Sequence, residues 1–484
     1  MNTTIENQRS AMEDIDIPLA VDLDGTLIRT DLLVEDFFSL LSSNPLKALA
    51  SLRHLPDGKA AFKAHLADHA CLDLKHQPFN EDVLAYIRRE KARGRKVYLV
   101  SASERRHVEG LAEHLGLFDG VHGSTRERNL AGPAKAELLC ELFGPQGFDY
   151  MGNDWVDLPV WRQSRIAIAV DVPPRLWRQL KDECPAAEEI AAERSGIKTY
   201  LRAIRVHQWL KNILVFLPLL ASHHISGQTI LASLMAAVAF SLSASSAYLV
   251  NDLLDLSHDR KHATKRFRPM ASGAMPLTHG VALAPLLLLA ALGLATAVSW
   301  WCLVVLGVYY ATTLAYSLYL KRRMLIDVFT LAGLYTLRIL AGAAAIDLPP
   351  SPWLLSFSLF FFLARARVKR YIELGRLSRS QAGNPTGRGY LTDDLSVLAA
   401  MAAAAGYISV LVLALYFHSP EVHVLYSRSW LLWLVGPPVL YWISRILMLA
   451  HRGELHDDPV VFAATDRVSL VTGVIVLAVM VVAL

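Results

Sequence analysis

From Tyr200 onward the sequence repeats apolar segments long enough to cross a bilayer, and this repetition restricts the fold more than any other feature. About 20 apolar residues cross the hydrocarbon core as a helix. Such segments recur near 205–222, 229–250, 280–299, 301–320, 325–346, 352–366, 395–417, 429–449 and 467–484. The pattern predicts an all-α polytopic region of about nine transmembrane helices. The 53% apolar content of the 484 residues agrees with a membrane class, so the lipid bilayer is an expected partner.

Up to about Gly196 the texture is different. Short apolar strand candidates (PLAVDLD, KVYLVSAS, FDYMGND, RIAIAV) alternate with charged helical stretches, which is the pattern of an α/β domain. The boundary is expected near residue 197, giving a soluble part at 1–197 and a membrane part at 198–484. CPAAEEIAAERS, from Cys184 to Ser195, reads as a linker or amphipathic bridge. The net charge of +4 is small and the cations are clustered, so no nucleic-acid partner is expected. Cys71, Cys140, Cys184 and Cys302 lie far apart without a CxxC pair, which indicates neither zinc nor a disulfide framework. The first residues lack a cationic start followed by an apolar core, so no secretory signal is expected.

Loop charge sets the expected orientation, because Lys and Arg collect on the cytoplasmic side of short loops. One set of alternate loops carries Arg260 to Arg268, Lys321 to Arg323, Arg365 to Arg388 and Arg452; the other carries only Arg428. This places the N-terminal domain and the charged loops on the cytoplasmic face of a bacterial-type inner membrane, with the C-terminus on the opposite side. The oligomeric state is not readable from the sequence.

VDLDGTL places Asp22 and Asp24 one residue apart at a predicted strand end. There one carboxylate can attack phosphorus while the other gives a proton to the leaving oxygen, with Mg²⁺ screening their repulsion. Alone, the pair would as readily cap a turn, and Lys135 would be a surface lysine. Together with YLVSAS at Ser101, NLAGPAK at Lys135 and MGNDWVD, the order resembles the haloacid dehalogenase superfamily over roughly residues 15–180. The resemblance implies a Rossmann-like sheet with a helical cap at about 31–80. It implies Asp22 as nucleophile, Asp24 as general acid and base, Ser101 and Lys135 as phosphate ligands, and Asp154 or Asp157 completing the Mg²⁺ site with Asp22 and Asp24. Members often read GDxxxD where this chain has Asn153, which leaves the choice between Asp154 and Asp157 open.

In NDLLDLSHDRKHATKRFRP, Asp252, Asp255 and Asp259 fall at helical spacings, so with Asn251 they can line one face and hold Mg²⁺. The cations that follow, His262, Lys265, Arg266 and Arg268, suit a diphosphate whose charge develops as it leaves. A solvated loop of mixed charge is the plainer alternative. The NDxxDxxxD pattern after the second span resembles the UbiA superfamily of membrane prenyltransferases, from Leu201 to Leu484. Those relatives carry a second acidic motif, DxxxD, after the sixth span; here the place reads RARVKRYIEL, with Lys369, Arg370 and the single acid Glu373. Cations there favour a bare phosphate over a metal diphosphate.

A substrate with phosphate at both ends fits that exchange, and phosphoribosyl diphosphate is one. The chain is similar in several stretches to the decaprenyl-phosphate phosphoribosyltransferase branch: RVHQWLKN, YSLYLKRRMLIDV, VKRYIEL and RGELHDDPVVFAATDR. The resemblance implies transfer of 5-phosphoribosyl to a polyprenyl phosphate. Asn251, Asp252, Asp255 and Asp259 would hold metal, Tyr316, Lys321 and Asp327 would flank the donor, Lys369, Arg370 and Glu373 would meet a phosphate, and Lys211 and Asn212 carry over from the first stretch. Lys211 as a membrane-boundary anchor and Tyr316 as an interfacial aromatic remain alternatives. His258 is expected in solvent, and His223 and His224 are given no role. A fused phosphatase would then remove the 5-phosphate of the product for an envelope polysaccharide precursor. Two rival readings are a prenyltransferase moving a prenyl group onto an aromatic acceptor and a transporter or scaffold with a regulatory domain.

Overall fold

The structure, a computed structural model, describes residues 16–191, 196–222, 225–379, 389–455, 462–463 and 465–484. His223, His224, Arg388, residues 192–195 of the anticipated linker and residues 456–461 and 464 of the RGELHDDPVVFAATDR stretch lie outside them. The chain forms two compact units, Met1–Arg205 with Tyr248–Ala284, and Val206–Ala247 with Pro285–Leu484.

The first unit is built on a six-stranded parallel sheet: β1 Leu19–Val21, β2 Val97–Glu104, β3 Gly120–Ser124, β4 Asp149–Gly152, β5 Ala167–Val170 and β6 Glu188–Ile190, in the order β3-β2-β1-β4-β5-β6. Parallel strands covered on both faces read as continuous apolar runs, and LAV of β1 is buried throughout. The pleat sends Leu19 and Val21 into one core with Val97, Leu99 and Ile87, and Ala20 into the other with Val100, Leu139 and Trp161. Because the chain builds outward from β1 to β3 and then returns to β4 on the other side of β1, the C-terminal end of β1 is the topological switch point where such sheets bind ligands.

Between β1 and β2 stand the helices Leu32–Ser43, Pro45–Ser51, Lys59–Ala67 and Glu81–Ala92. Leu40, Ala48, Phe62 and Leu66 give the first three a small core of their own. Asp31 caps the first of them, its carboxylate accepting the Val34 amide at 3.1 Å.

The second unit is helical. Six helices among the described residues are long and apolar enough to cross a membrane: Gly227–Leu254, Leu277–Val298, Trp300–Leu318, Ile326–Ala345, Thr392–Phe417 and Ser429–Arg452. The nine anticipated spans are not reached, for identifiable reasons. The 205–222 segment is a 3-10 stretch, Val206–Phe216, followed by the short helix Leu217–Ser222. The 352–366 segment opens a longer helix, Pro352–Arg379, which from its midpoint onward carries Arg365, Arg367, Lys369, Arg370, Arg376 and Arg379. Arg467–Ala483 is apolar but has 17 residues.

Candidate active sites

The chain leaves β1 at Asp22, whose amide still donates to the Met151 carbonyl at 2.9 Å. Gly25 then turns with φ +75°, and a Cβ there would lie 2.1 Å from Asn153 Nδ2. Only glycine allows both that left-handed turn and that approach. Thr26 Oγ1 donates to Asn153 Oδ1 at 3.2 Å, so the residue that replaces the family's acid packs directly on the Asp22 loop.

Lys135 enters from the first turn of the helix Pro133–Phe143 and is 2% exposed. Its Nζ donates to Asp22 Oδ1 and to the Tyr150 hydroxyl, both at 2.8 Å, and stands 3.6 Å from Asp157 Oδ1. Tyr150 donates onward to Asp157 Oδ1 at 2.7 Å, and Asp157 Oδ2 accepts the amides of Asn153 and Asp154. Asp24 Oδ1 accepts the Leu32 amide at 3.0 Å, and its other oxygen accepts the Ser103 hydroxyl. Ser101 is fully buried and accepts the Ser103 amide at 3.0 Å. Burial pushes Asp22 up to about 6 although Lys135 pulls it back, and burial together with the charge of Asp31 pushes Asp24 up to about 7. A carboxyl near 7 holds a proton ready for a leaving oxygen.

Sequence reading missed three neighbours. Tyr150 links Lys135 to Asp157 from within β4, where it reads as core. Ser103 lies two residues past Ser101. Lys63, on the helix Lys59–Ala67, donates to the Ala102 carbonyl at 2.6 Å; burial lowers it while Asp24, Asp31 and Asp22 draw it back up.

Mg²⁺ needs only one or two carboxylates when substrate phosphate and water supply the rest. Among the described residues no three His, Cys, Asp or Glu side chains form a cage. Both oxygens of Asp157 are engaged inside the protein, whereas Asp154 is exposed and uses one oxygen to cap Trp155. Asp22 with Asp154 therefore fits the ion better than Asp22 with Asp157.

The acidic segment at 248–284 folds with this domain. Asp252 accepts from Arg205 and, at 3.0 Å, from Arg268 Nη1, which also reaches Asp259 at 2.5 Å. Asn251 donates to Asp255 at 3.1 Å. Burial pushes Asp259 up to about 6 in spite of Arg268. Arg268 thus joins the carboxylates directly. Lys265 is half-buried, and His262 and Arg266 are exposed, His262 beside the Thr264 amide and Arg266 over the Phe267 ring. His258 is exposed, as expected. Arg205, which sequence reading passed over, is the second cation on Asp252.

Within the helical unit Arg370, 2% exposed, gathers three of the other predicted residues. Nε donates to Asp327 Oδ2 at 2.6 Å, Nη1 to Glu373 and Nη2 to the Tyr316 hydroxyl at 3.1 Å. Tyr390 closes the set on Asp327 Oδ1. Lys369 and Lys321 are half-buried, Lys321 in the 3-10 turn Leu320–Arg322. Lys211 is half-buried, and Asn212 is buried between Ser241, to which it donates, and Arg338, from which it accepts at 2.8 Å. Arg338, 5% exposed in the apolar helix Ile326–Ala345, also donates to the Leu334 carbonyl and the Tyr309 hydroxyl. A charge inside an apolar span is itself a functional signal.

Two sites therefore define the chain: an aspartate pair at the switch point of a parallel sheet, and an acidic segment attached to membrane-crossing helices. Residues 212–482 match the UbiA prenyltransferase family and residues 19–159 match haloacid dehalogenase-like hydrolase. The chain belongs to the UbiA prenyltransferase family, as a multi-pass membrane transferase with a fused haloacid dehalogenase-like domain. It is 36% identical to an uncharacterized protein of Sinorhizobium fredii over 96% of this chain and 90% of that one. It is 36% identical to nodulation protein NoeC of Azorhizobium caulinodans over 58% of this chain and 91% of that one. It is 38% identical to decaprenyl-phosphate phosphoribosyltransferase of Mycolicibacterium smegmatis, over 38% of this chain and 59% of the relative's length.

Proposed function

We propose that the membrane part transfers a 5-phosphoribosyl group from phosphoribosyl diphosphate to a polyprenyl phosphate, and that the fused phosphatase removes the 5-phosphate of the product. The observation that carries the donor is Arg370. A guanidinium has five N–H bonds, and three are used on Asp327, Glu373 and Tyr316. The remaining two suit a phosphate oxygen, where relatives with a second carboxylate pair would grip a metal diphosphate. Similarity to a phosphoribosyltransferase over 191 residues supports the same donor.

Asp252 and Asp259, which converge on Arg268, would hold Mg²⁺ together with the donor's diphosphate, and Arg268 would help neutralise the charge that develops as the diphosphate leaves. The sugar carbon left electron-poor is open to the lipid phosphate, and no protein nucleophile is required. In the phosphatase, Asp22 attacks the phosphoester phosphorus with Lys135 holding its carboxylate in line. Asp24 delivers its proton to the leaving oxygen, then takes one from the water that hydrolyses the aspartyl phosphate. Packing of the 248–284 segment within the phosphatase unit supports a common cytoplasmic face for both acid clusters.

The test supplies the protein with radiolabelled phosphoribosyl diphosphate, Mg²⁺ and polyprenyl phosphate. Label should enter the organic phase and be lost in Asp252→Ala, and Asp22→Asn should stop release of phosphate from the labelled lipid. Consumption of prenyl diphosphate in place of the sugar donor would overturn the reading, as would phosphate release that survives Asp22→Asn.

A further inference from the structure

Arg260 directly follows Asp259, yet its side chain turns away from the carboxylates. It is 8% exposed and is held on three sides within its own unit. Nη2 and Nη1 meet Glu35 Oε1 and Oε2 at 2.6 and 2.8 Å, Nη1 also meets Gln77 Oε1 at 2.9 Å, and Nε donates to the Ala271 carbonyl at 3.1 Å. Glu35 is 3% exposed and is completed by Gln77 Nε2 at 3.2 Å and by the Thr30 hydroxyl. Two further contacts seat the same segment. Lys261 pairs with Asp73 at 2.8 Å, and Gly273, at φ +73°, passes so close that a Cβ would lie 2.5 Å from Arg29 Cβ.

A buried, bidentate, fully satisfied ion pair between residues 225 positions apart is a poor source of net stability and a good source of fixed geometry. What it fixes is specific. Glu35 lies in the first turn of Leu32–Ser43, and the first amide of that helix, Leu32, is bonded to Asp24. Arg260 adjoins Asp259, which shares Arg268 with Asp252.

We propose that Glu35 and Arg260 are positioning residues that hold the general acid of the phosphatase and the acidic motif of the transferase on one frame, so that breaking the pair impairs both reactions. The inference rests on reading both acid clusters as active centres. Coupling through such a chain of contacts is established only by perturbing it.

The full-length protein is compared with Arg260→Met, Arg260→Lys, the single reversals Glu35→Arg and Arg260→Glu, and the two reversals combined. Hydrolysis of p-nitrophenyl phosphate with Mg²⁺ reads the phosphatase, label transfer from phosphoribosyl diphosphate reads the transferase, and amide exchange of the Leu32–Ser43 helix reads the link without either activity. Arg260→Met should lower phosphatase kcat about tenfold with KM little changed, because the shift acts on the acid and not on binding. Helix 32–43 should exchange faster, Arg260→Lys should recover part of kcat, and the reversed pair should exceed either single reversal. Label transfer should fall in Arg260→Met as well, and either unchanged phosphatase kcat with unchanged exchange or label transfer at the wild-type rate would overturn the proposal. If Arg260→Met does not fold, Arg260→Lys carries the test, and a kcat equal to wild type at an equal melting temperature would overturn it. Wild-type protein that hydrolyses p-nitrophenyl phosphate but moves no label overturns the donor assignment, and leaves the phosphatase and exchange readouts to decide the link.

Discussion

Lys135 is buried between two carboxylates, so its charge has no substitute. Lys135→Met should abolish phosphatase turnover and cost about 3 kcal/mol or more, because Asp22 and Asp157 are then left facing each other without a cation. Phosphate release and thermal melting of the detergent-solubilised protein would check both. Gly25→Ala should separate the two effects: the left-handed turn conformation costs about 1–2 kcal/mol for alanine, while the methyl displaces Asn153 and should remove much more activity than stability. At this scale the sequence revealed residues that announce themselves by type and place. Asp22, Asp24, Ser101 and Lys135 lie at the ends of strand or helix patterns. Tyr150, Lys63 and Arg205 gave no such sign, since each reads as core, solvated helix or membrane boundary until long-range contacts place it. Arg338 did give one, a cation within an apolar run, and was passed over.

Among elements, the helix Leu32–Ser43 meets the core helix Arg105–Leu115 through Asp36 and His107, 3.0 Å apart. Burial pulls the His107 imidazolium down, and the hydrogen bond and charge of Asp36 outweigh it, leaving the ring above its ordinary value. Burial also raises Asp36 above the usual carboxylate range. Both groups therefore bind protons more readily in the folded state than in the unfolded chain. The sign follows: stability falls as pH rises through the range just above ordinary Asp, and again through the range just above ordinary His. Melting temperatures should drop between about pH 6 and pH 8, and Asp36→Asn should remove or reverse that upper step, since burial alone then acts on His107. The strands and their turn residues were legible because a buried parallel sheet writes continuous apolar runs. The span count was not, because apolar length does not distinguish a regular helix from the 3-10 stretch Val206–Phe216, nor a membrane end from the cationic continuation of Pro352–Arg379.

For the molecule as a whole, the change of texture near Gly196 revealed two kinds of structure in one chain, but not that 248–284 would fold with the first kind. Nothing local in TDLLVED or SHDRK says that Glu35 and Arg260 are partners. The excised phosphatase, residues 1–205, should consequently be less stable than the same domain in the full chain, because Glu35 would lose both its cation and the segment that covers it. Glu35→Leu should therefore lower the melting temperature of the full chain, where it leaves Arg260 buried without its acid, and change that of the excised domain much less. An equal effect in both would contradict the assignment. The separation of those two residues also has a meaning in time. Ribosomes add roughly 5–20 residues per second, so a nascent chain waits on the order of ten to forty seconds between making the acid and making its arginine, at 225 residues' distance. The α/β domain must fold, or be kept from misfolding, with that acid still unanswered, and its maturation is thereby tied to membrane insertion of the span that ends just before the arginine.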